Sequence, residues 1–221
     1  MTSQQIGQQL AAAALEIKAI KISPRAPFRW ASGYSMPIYN DNRMFLADAE
    51  HRRLISEGFS ALIAENKLSF EIVGGTATAG IAPATTLADR IKKPLVYVRD
   101  KKKGHGLENR VEGILNPGQK VLLIEDVVST GGSSVSAVEA LRDSKATITD
   151  CLCIYNYGFE KAASLFREAK CQLHSLLTFP TLLEVAREQK YIAADDQPEL
   201  EDWITDPFGW GAKRGYETPA A

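Results

Sequence analysis

The chain has 221 residues, 45% of them hydrophobic and 24% charged, which excludes a disordered or collagenous chain and fits one α/β domain. Lys and Arg number 26 against 27 Asp and Glu, a net charge of -1, so no global field favours nucleic acid or an anionic membrane and neither is expected as a partner. Cys151, Cys153 and Cys171 form neither an even disulfide framework nor a paired zinc motif, and buried thiols in a reducing compartment are expected.

Along the chain, Ile6, Leu10, Ala13, Ile17 and Ile20 fall at helical spacing and predict an amphipathic helix over the first twenty residues. Met1 to Gln9 holds no Lys or Arg, and the apolar run 10–15 is cut off by Glu16 and Lys18; no leader or membrane span is read, and a cytoplasmic protein is expected. Pro24 and Pro27 then impose an extended path. From residue 71 short apolar runs alternate with helical periods. Strands are predicted at 71–74, 95–98, 121–124, 147–155 and 172–177. Helices are predicted on the face of Ile81, Ala84, Ala88 and Ile91, and at 133–143, 159–169 and 181–189. This alternation predicts a mainly parallel sheet covered by helices on both faces. The expected organisation is a single domain over 1–221: an N-terminal helix and hood (1–45), an α/β core (70–190) and a C-terminal segment (191–221). The stretch 99–118 is long, polar and glycine-bearing, the profile of a functional lid or a disordered segment.

The most informative segment is Val121-Leu122-Leu123-Ile124-Glu125-Asp126-Val127-Val128-Ser129-Thr130-Gly131-Gly132-Ser133-Ser134. An apolar run reads as a buried parallel strand, and ligands of open α/β sheets bind beyond the carboxyl ends of such strands. Glu125 and Asp126 are expected to project there. The following turn, Ser129 to Ser133, has the glycines, free amides and hydroxyls of an anion cradle entering a helix. An ordinary capped strand–helix joint explains Ser133 but not two adjacent acids, which are costly to desolvate without a compensating ligand. No Lys follows the glycines and no Gly-x-Gly-x-x-Gly spacing occurs, which disfavours Walker-type and dinucleotide sites. A phosphorylated ribose fits the pattern.

This segment resembles the phosphoribosyl diphosphate signature of type I phosphoribosyltransferases, and the chain is most similar to their orotate-using members from about Phe28 to Glu188. Three further stretches carry the resemblance: the hood segment Phe28–Arg43, the turn Gly74–Ile81, which looks like a diphosphate-contacting turn, and Arg99–Gly106, which resembles a mobile catalytic loop. The resemblance implies the type I fold with an N-terminal hood. It also implies transfer of a phosphoribosyl group from phosphoribosyl diphosphate to orotate, giving orotidine 5′-monophosphate, in pyrimidine biosynthesis. Lys103 and Asp126 would be catalytic. Arg99, Lys103, His105, Glu125, Asp126, Val127, Val128, Ser129, Thr130, Gly131, Gly132 and Ser133 would bind substrate. Glu125 and Asp126 would hold the ribose hydroxyls and the 129–133 turn the 5′-phosphate, with Ser129 also in reach of orotate. Magnesium is implied, carried mainly by substrate diphosphate with no tight protein ligand, and so is a homodimer that shares its loop between subunits. Ala31 stands where many orotate-using members carry Lys, Thr78-Ala79 where some have Tyr-Lys, and no Arg follows the fourth strand near Tyr155-Asn156-Tyr157.

Two alternatives differ in their sequence marks. A transferase for uracil or a purine lacks the hood segment; a non-enzymatic phosphoribosyl diphosphate sensor lacks the loop and carries a DNA-binding module, for which residues 1–27 are too short and too weakly basic. Elsewhere bland readings hold. His51 is expected at the surface, His174 in the core, and Trp203 and Trp210 as anchors of the C-terminal segment. Tyr39 is read as a packing residue placed where it can touch a pyrimidine.

Overall fold

The computed structural model describes residues 1–100, 110–217 and 219. Helix α1 (Ser3–Glu16) begins with a capping box, in which Thr2 Oγ1 accepts from the Gln5 N–H and Gln5 Oε1 accepts from the Thr2 N–H. It ends four residues before the predicted limit: Ile17 is its C-cap, Lys18 takes a left-handed φ of 59°, and Ile20 already belongs to a strand. The hood consists of two small antiparallel ladders. One joins β1 (Ile20–Ile22) to β4 (Ile38–Asn40), the other joins β2 (Phe28–Arg29) to β3 (Ser35–Met36), and a 3₁₀ turn (Asn42–Ala47) follows.

Helix α2 (Ala49–Glu65), which the sequence reading left out, is capped by the Asp48 carboxylate and buries Ile55, Phe59 and Leu62. The core then runs β5 (Ile72–Thr76), α3 (Ile81–Ile91), β6 (Leu95–Val98), β7 (Val111–Glu112), β8 (Lys120–Val128), α4 (Gly132–Asp143), β9 (Thr147–Asn156), α5 (Glu160–Glu168), β10 (Gln172–Thr178) and α6 (Phe179–Glu188). Helices α7 (Gln197–Thr205) and α8 (Trp210–Lys213) close the chain.

The six strands order as β10-β9-β8-β5-β6-β7, all neighbours parallel except the edge strand β7, antiparallel to β6. The predicted parallel α/β architecture is thus realised. Alternation along β8 divides the core: Leu122 and Ile124 pack with α1, α2, α3 and α6, while Val121 and Leu123 pack with α4 and α5. Trp203 and Trp210 are fully buried, as expected of anchors, and so are the three thiols. His174 is buried against Asp150, with Nε2 2.8 Å from Oδ1. His51 is half-buried rather than at the surface, edge-on to Phe45. Among the described residues no helix is long and apolar enough to cross a membrane.

Candidate active site

Strand β8 runs four residues further than predicted, because β9 pairs with it as far as Val128, opposite Asn156. Glu125 and Asp126 therefore lie within the strand rather than past its end. Glu125 is 5% exposed and occupied by protein donors. Its Oε1 accepts from Thr76 Oγ1 at 2.6 Å and from the Asp126 N–H at 3.0 Å, and its Oε2 accepts from Ser134 Oγ at 2.9 Å. Three of the roughly four acceptor sites of a carboxylate are filled. Glu125 thus ties β5, β8 and α4 together at their ligand-facing ends.

Asp126 is half-buried and lines a small cavity with Asn42, Arg43, Ala79, Ala82 and Pro83. Burial first, and then the charge of Glu125 beside it, push its carboxyl up to about 7. Asn42 braces the same residue from the hood, donating from Nδ2 to the Asp126 carbonyl at 2.7 Å. Arg43, beside Asp126, is clamped by Asp41 through Nε–Oδ1 at 2.6 Å and Nη2–Oδ2 at 2.9 Å.

The turn after β8 has the geometry of a cradle. Gly131 is the N-cap of α4 at φ 81°, and a Cβ there would stand 3.2 Å from the Ala162 backbone of α5, so both the conformation and the close approach require glycine. A Cβ on Gly132 would meet nothing within 4 Å, and Gly132 and Ser133 are exposed. The first turn of α4 has no side-chain cap, so its amides are available to an anion. In the second turn, Gly74, Gly75 and Thr76 belong to β5 rather than to a loop, and the turn itself is Ala77–Gly80. The Ala77–Thr78 peptide is cis. Gly75 lets α3 approach, because an added Cβ would lie 2.9 Å from the Ala84 Cβ.

Beside the cradle lies a cleft of about 260 Å³ lined by Trp30, Ser32, Tyr39 and Asn40 of the hood, Val127 and Ser129 of the β8 end, and Tyr157 just after β9. The Trp30 and Tyr157 rings stand 5.2 Å apart. Their planes are inclined by 58°, so the two rings pack directly on each other and form one aromatic wall of the cleft. Tyr39, 37% exposed, borders it as the sequence reading allowed. Trp30, Asn40 and Asn42 were read only as part of the hood segment and Tyr157 only beside an absent Arg, none with a role of its own. For Tyr157 the available signal was an aromatic placed directly after the carboxyl end of an apolar strand; for the other three it was the hood resemblance over Phe28–Arg43. Arg99 follows β6, half-buried, with Nη1 3.5 Å from Glu112 Oε1. Lys103 and His105 lie outside the described residues.

Comparison with known proteins shows the family. The phosphoribosyl transferase domain family matches residues 46–176, more than half of the chain. An orotate phosphoribosyltransferase of Listeria innocua is 43% identical over 93% of this chain and 99% of its own. One of Coxiella burnetii is 42% identical over 91% and 97%. The chain belongs to the orotate phosphoribosyltransferases. Among solved structures, orotate phosphoribosyltransferase from Aeropyrum pernix superimposes with a TM-score of 0.72 at 30% identity, covering 83% of this chain and 99% of that one. The acid pair lies towards the carboxyl end of β8 and the cradle directly follows it, the edge where ligands of open α/β sheets bind.

Proposed function

We propose that the protein transfers the 5-phosphoribosyl group of phosphoribosyl diphosphate to orotate, forming orotidine 5′-monophosphate and diphosphate in pyrimidine biosynthesis. The similarity to orotate phosphoribosyltransferases over more than nine-tenths of the chain carries this reading. In the reaction the bond from the sugar's anomeric carbon to diphosphate breaks and its electron pair leaves on the diphosphate. A bond forms from the ring nitrogen of orotate, which gives up its proton.

The site chemistry supports that assignment. In this reading Asp126 faces the sugar, and its charge favours a transition state with oxocarbenium character. Glu125, with three of its acceptor sites taken by Thr76, Asp126 and Ser134, chiefly orients the site and keeps one lone pair for a ribose hydroxyl. Ser129, Thr130, Gly131, Gly132 and Ser133 hold the 5′-phosphate on the α4 amides, with Val127 and Val128 leading into the turn. Orotate lies in the cleft that Trp30, Tyr39 and Tyr157 line, against the wall formed by the two packed rings. Arg99, Lys103 and His105 supply positive charge that neutralises the departing diphosphate.

Among the described residues no three metal-binding side chains gather into a cage. The donor set of one half-buried carboxylate beside a phosphate cradle fits magnesium carried on substrate oxygens, which that hard ion prefers. When bound, it supplies charge neutralisation of the diphosphate, and Asp126 is the side chain placed to meet it. We infer further that the chain is one domain that works as a cytoplasmic homodimer, each subunit lending its loop to the other's site. The deciding experiment is incubation with phosphoribosyl diphosphate, magnesium and a panel of bases. Consumption of orotate alone is expected; turnover of uracil or a purine with orotate inert would overturn the substrate while leaving the family.

A further inference from the structure

We propose that the C-terminal segment 206–217 is a strap that sets the base cleft, with Phe208 and Gly211 as its positioning residues; the inference rests on the cleft being the base site. The β2–β3 hairpin contributes Trp30, Ala31 and Ser32 to the cleft wall, yet it has only two residues in each strand and pairs with no other strand among those described. An isolated two-stranded ladder is marginal in water and takes its position from whatever packs on it.

On its inner side the hairpin meets the site. The Trp30 indole N–H donates to the Ile38 carbonyl at 2.8 Å and the ring faces Tyr157. On its outer side it meets the strap at several points. Phe208 is edge-on to Tyr34, with centroids 5.0 Å apart. A Cβ on Gly211 would lie 3.1 Å from the Ser35 carbonyl oxygen and 3.3 Å from the Ser35 Cβ, so α8 is pressed against the β3 backbone. Glu217 pairs with Arg29 at 2.8 Å, but both side chains are largely exposed and the pair adds little. The half-buried Phe208 and the buried Gly211 brace the outer face of the hairpin, while Met36 of β3 anchors its other end in the core.

The strap is itself fastened to the core that carries the site. In α7, which leads into the strap, Trp203 stands edge-on to Tyr157 (6.0 Å), Phe159 (5.6 Å) and Phe179 (5.4 Å), and its indole N–H points at Met36 Sδ, 3.3 Å away. Phe208 also touches Phe159 at 5.8 Å. Arg214 lies over Trp210 at 4.6 Å and pairs with Glu199 and Asp202. One continuous aromatic packing thus links the cleft-lining Tyr157 to the outer face of the hairpin that bears Trp30. Loosening the strap moves one wall of the cleft and leaves the β8–α4 cradle untouched.

The test uses Phe208→Ala and Gly211→Val in the full chain. It reads base KM, kcat, phosphoribosyl diphosphate Kd with magnesium, and melting temperature. Base KM should rise by about tenfold with kcat changed far less, the mark of lost ground-state positioning, and phosphoribosyl diphosphate Kd should stay within about twofold. Tyr34→Ala should reproduce the effect, and Tyr34→Ala with Phe208→Ala should be no worse than either alone. An unchanged base KM in folded Phe208→Ala, additive effects of the two, or equal rises in base KM and phosphoribosyl diphosphate Kd would each overturn the strap. Should Phe208→Ala not fold, the smaller Gly211→Ala, read the same way, decides. If the wild-type chain consumes a base other than orotate, the substrate reading fails, and the strap is tested with that base.

Discussion

Thr76 at the end of β5 donates its hydroxyl proton to Glu125 in β8 at 2.6 Å, across the strand pair that forms the floor of the site. Both side chains are buried, so neither can exchange its partner for water. The bond therefore fixes the acid-bearing strand relative to the 77–80 turn, and its value exceeds that of an exposed hydrogen bond.

Thr76→Val keeps the shape and removes the donor, leaving a buried carboxylate oxygen short of a partner. The expected cost is about 1–3 kcal/mol of stability, the desolvation penalty of an unsatisfied buried acceptor. Thr76→Ser restores the hydroxyl and should recover most of it. Urea unfolding of the three proteins checks this; equal midpoints for wild type and the valine variant would show that Glu125 finds another donor.

Asp126 carries opposite consequences for stability and catalysis. Its carboxyl, held at about 7 against an ordinary 3.8, keeps a proton in the folded state that the unfolded chain has already released. The folded state thus binds more protons across that window, and stability falls as pH rises from 4 towards 7. Asp126→Asn has no charge to bury. It should match wild type below pH 4 and exceed it above pH 7 by about 2–4 kcal/mol, the upper figure being the full linkage value and the lower one allowing for solvent on this half-buried group, while kcat drops by about tenfold or more. Melting curves from pH 4 to pH 8 beside steady-state kinetics read both. A constant stability gap at every pH would remove the titration argument, and an unchanged kcat would limit the carboxylate to holding hydroxyls.

The fold was legible wherever hydrophobic periodicity alone decided it. β6 is found at 95–98 as read, and α4, β9, α5, β10 and α6 fall within two residues of their predicted limits. β8 was cut short because Glu125 and Asp126 have no strand propensity; tertiary pairing with β9 overrides it. Helix α2 was legible in principle, from the Asp48 cap and the Ile55, Phe59 and Leu62 face, yet its charged Glu50-His51-Arg52-Arg53 surface hides the period. The cleft was the least legible part. Trp30, Asn40 and Tyr157 are brought together by the hood folding over β9, a long-range contact that no local spacing encodes. The direction of Glu125 into the protein depends likewise on Thr76 and Ser134, which are distant from each other in sequence.

The three thiols should be chemically silent in the native protein. Burial pushes Cys153 and Cys171 up to about 12 and Cys151 well above the ordinary thiol range, so almost no thiolate exists at pH 8. A thiol-reactive dye should label none of them in the folded state and all three after denaturation. Rapid labelling of one in the native protein would mean that β9 or β10 opens locally.

The last prediction concerns the loop and the dimer together. If Lys103 serves the partner's site, Lys103→Ala and Asp126→Asn should each be nearly inactive as homodimers, because every site in either carries one defect. A mixed dimer differs: the subunit bearing Asp126→Asn sends an intact loop outward, and its neighbour sends a defective one inward. One site then holds both defects and the other holds neither. Random pairing of equal amounts makes half of the dimers mixed, each with one intact site of two, so activity should recover to about a quarter of wild type in a two-fold symmetric dimer. The measurement is activity against time after mixing, with subunit exchange followed independently by mass spectrometry. Exchange without recovery would place Lys103 in its own subunit's site or outside the chemistry altogether.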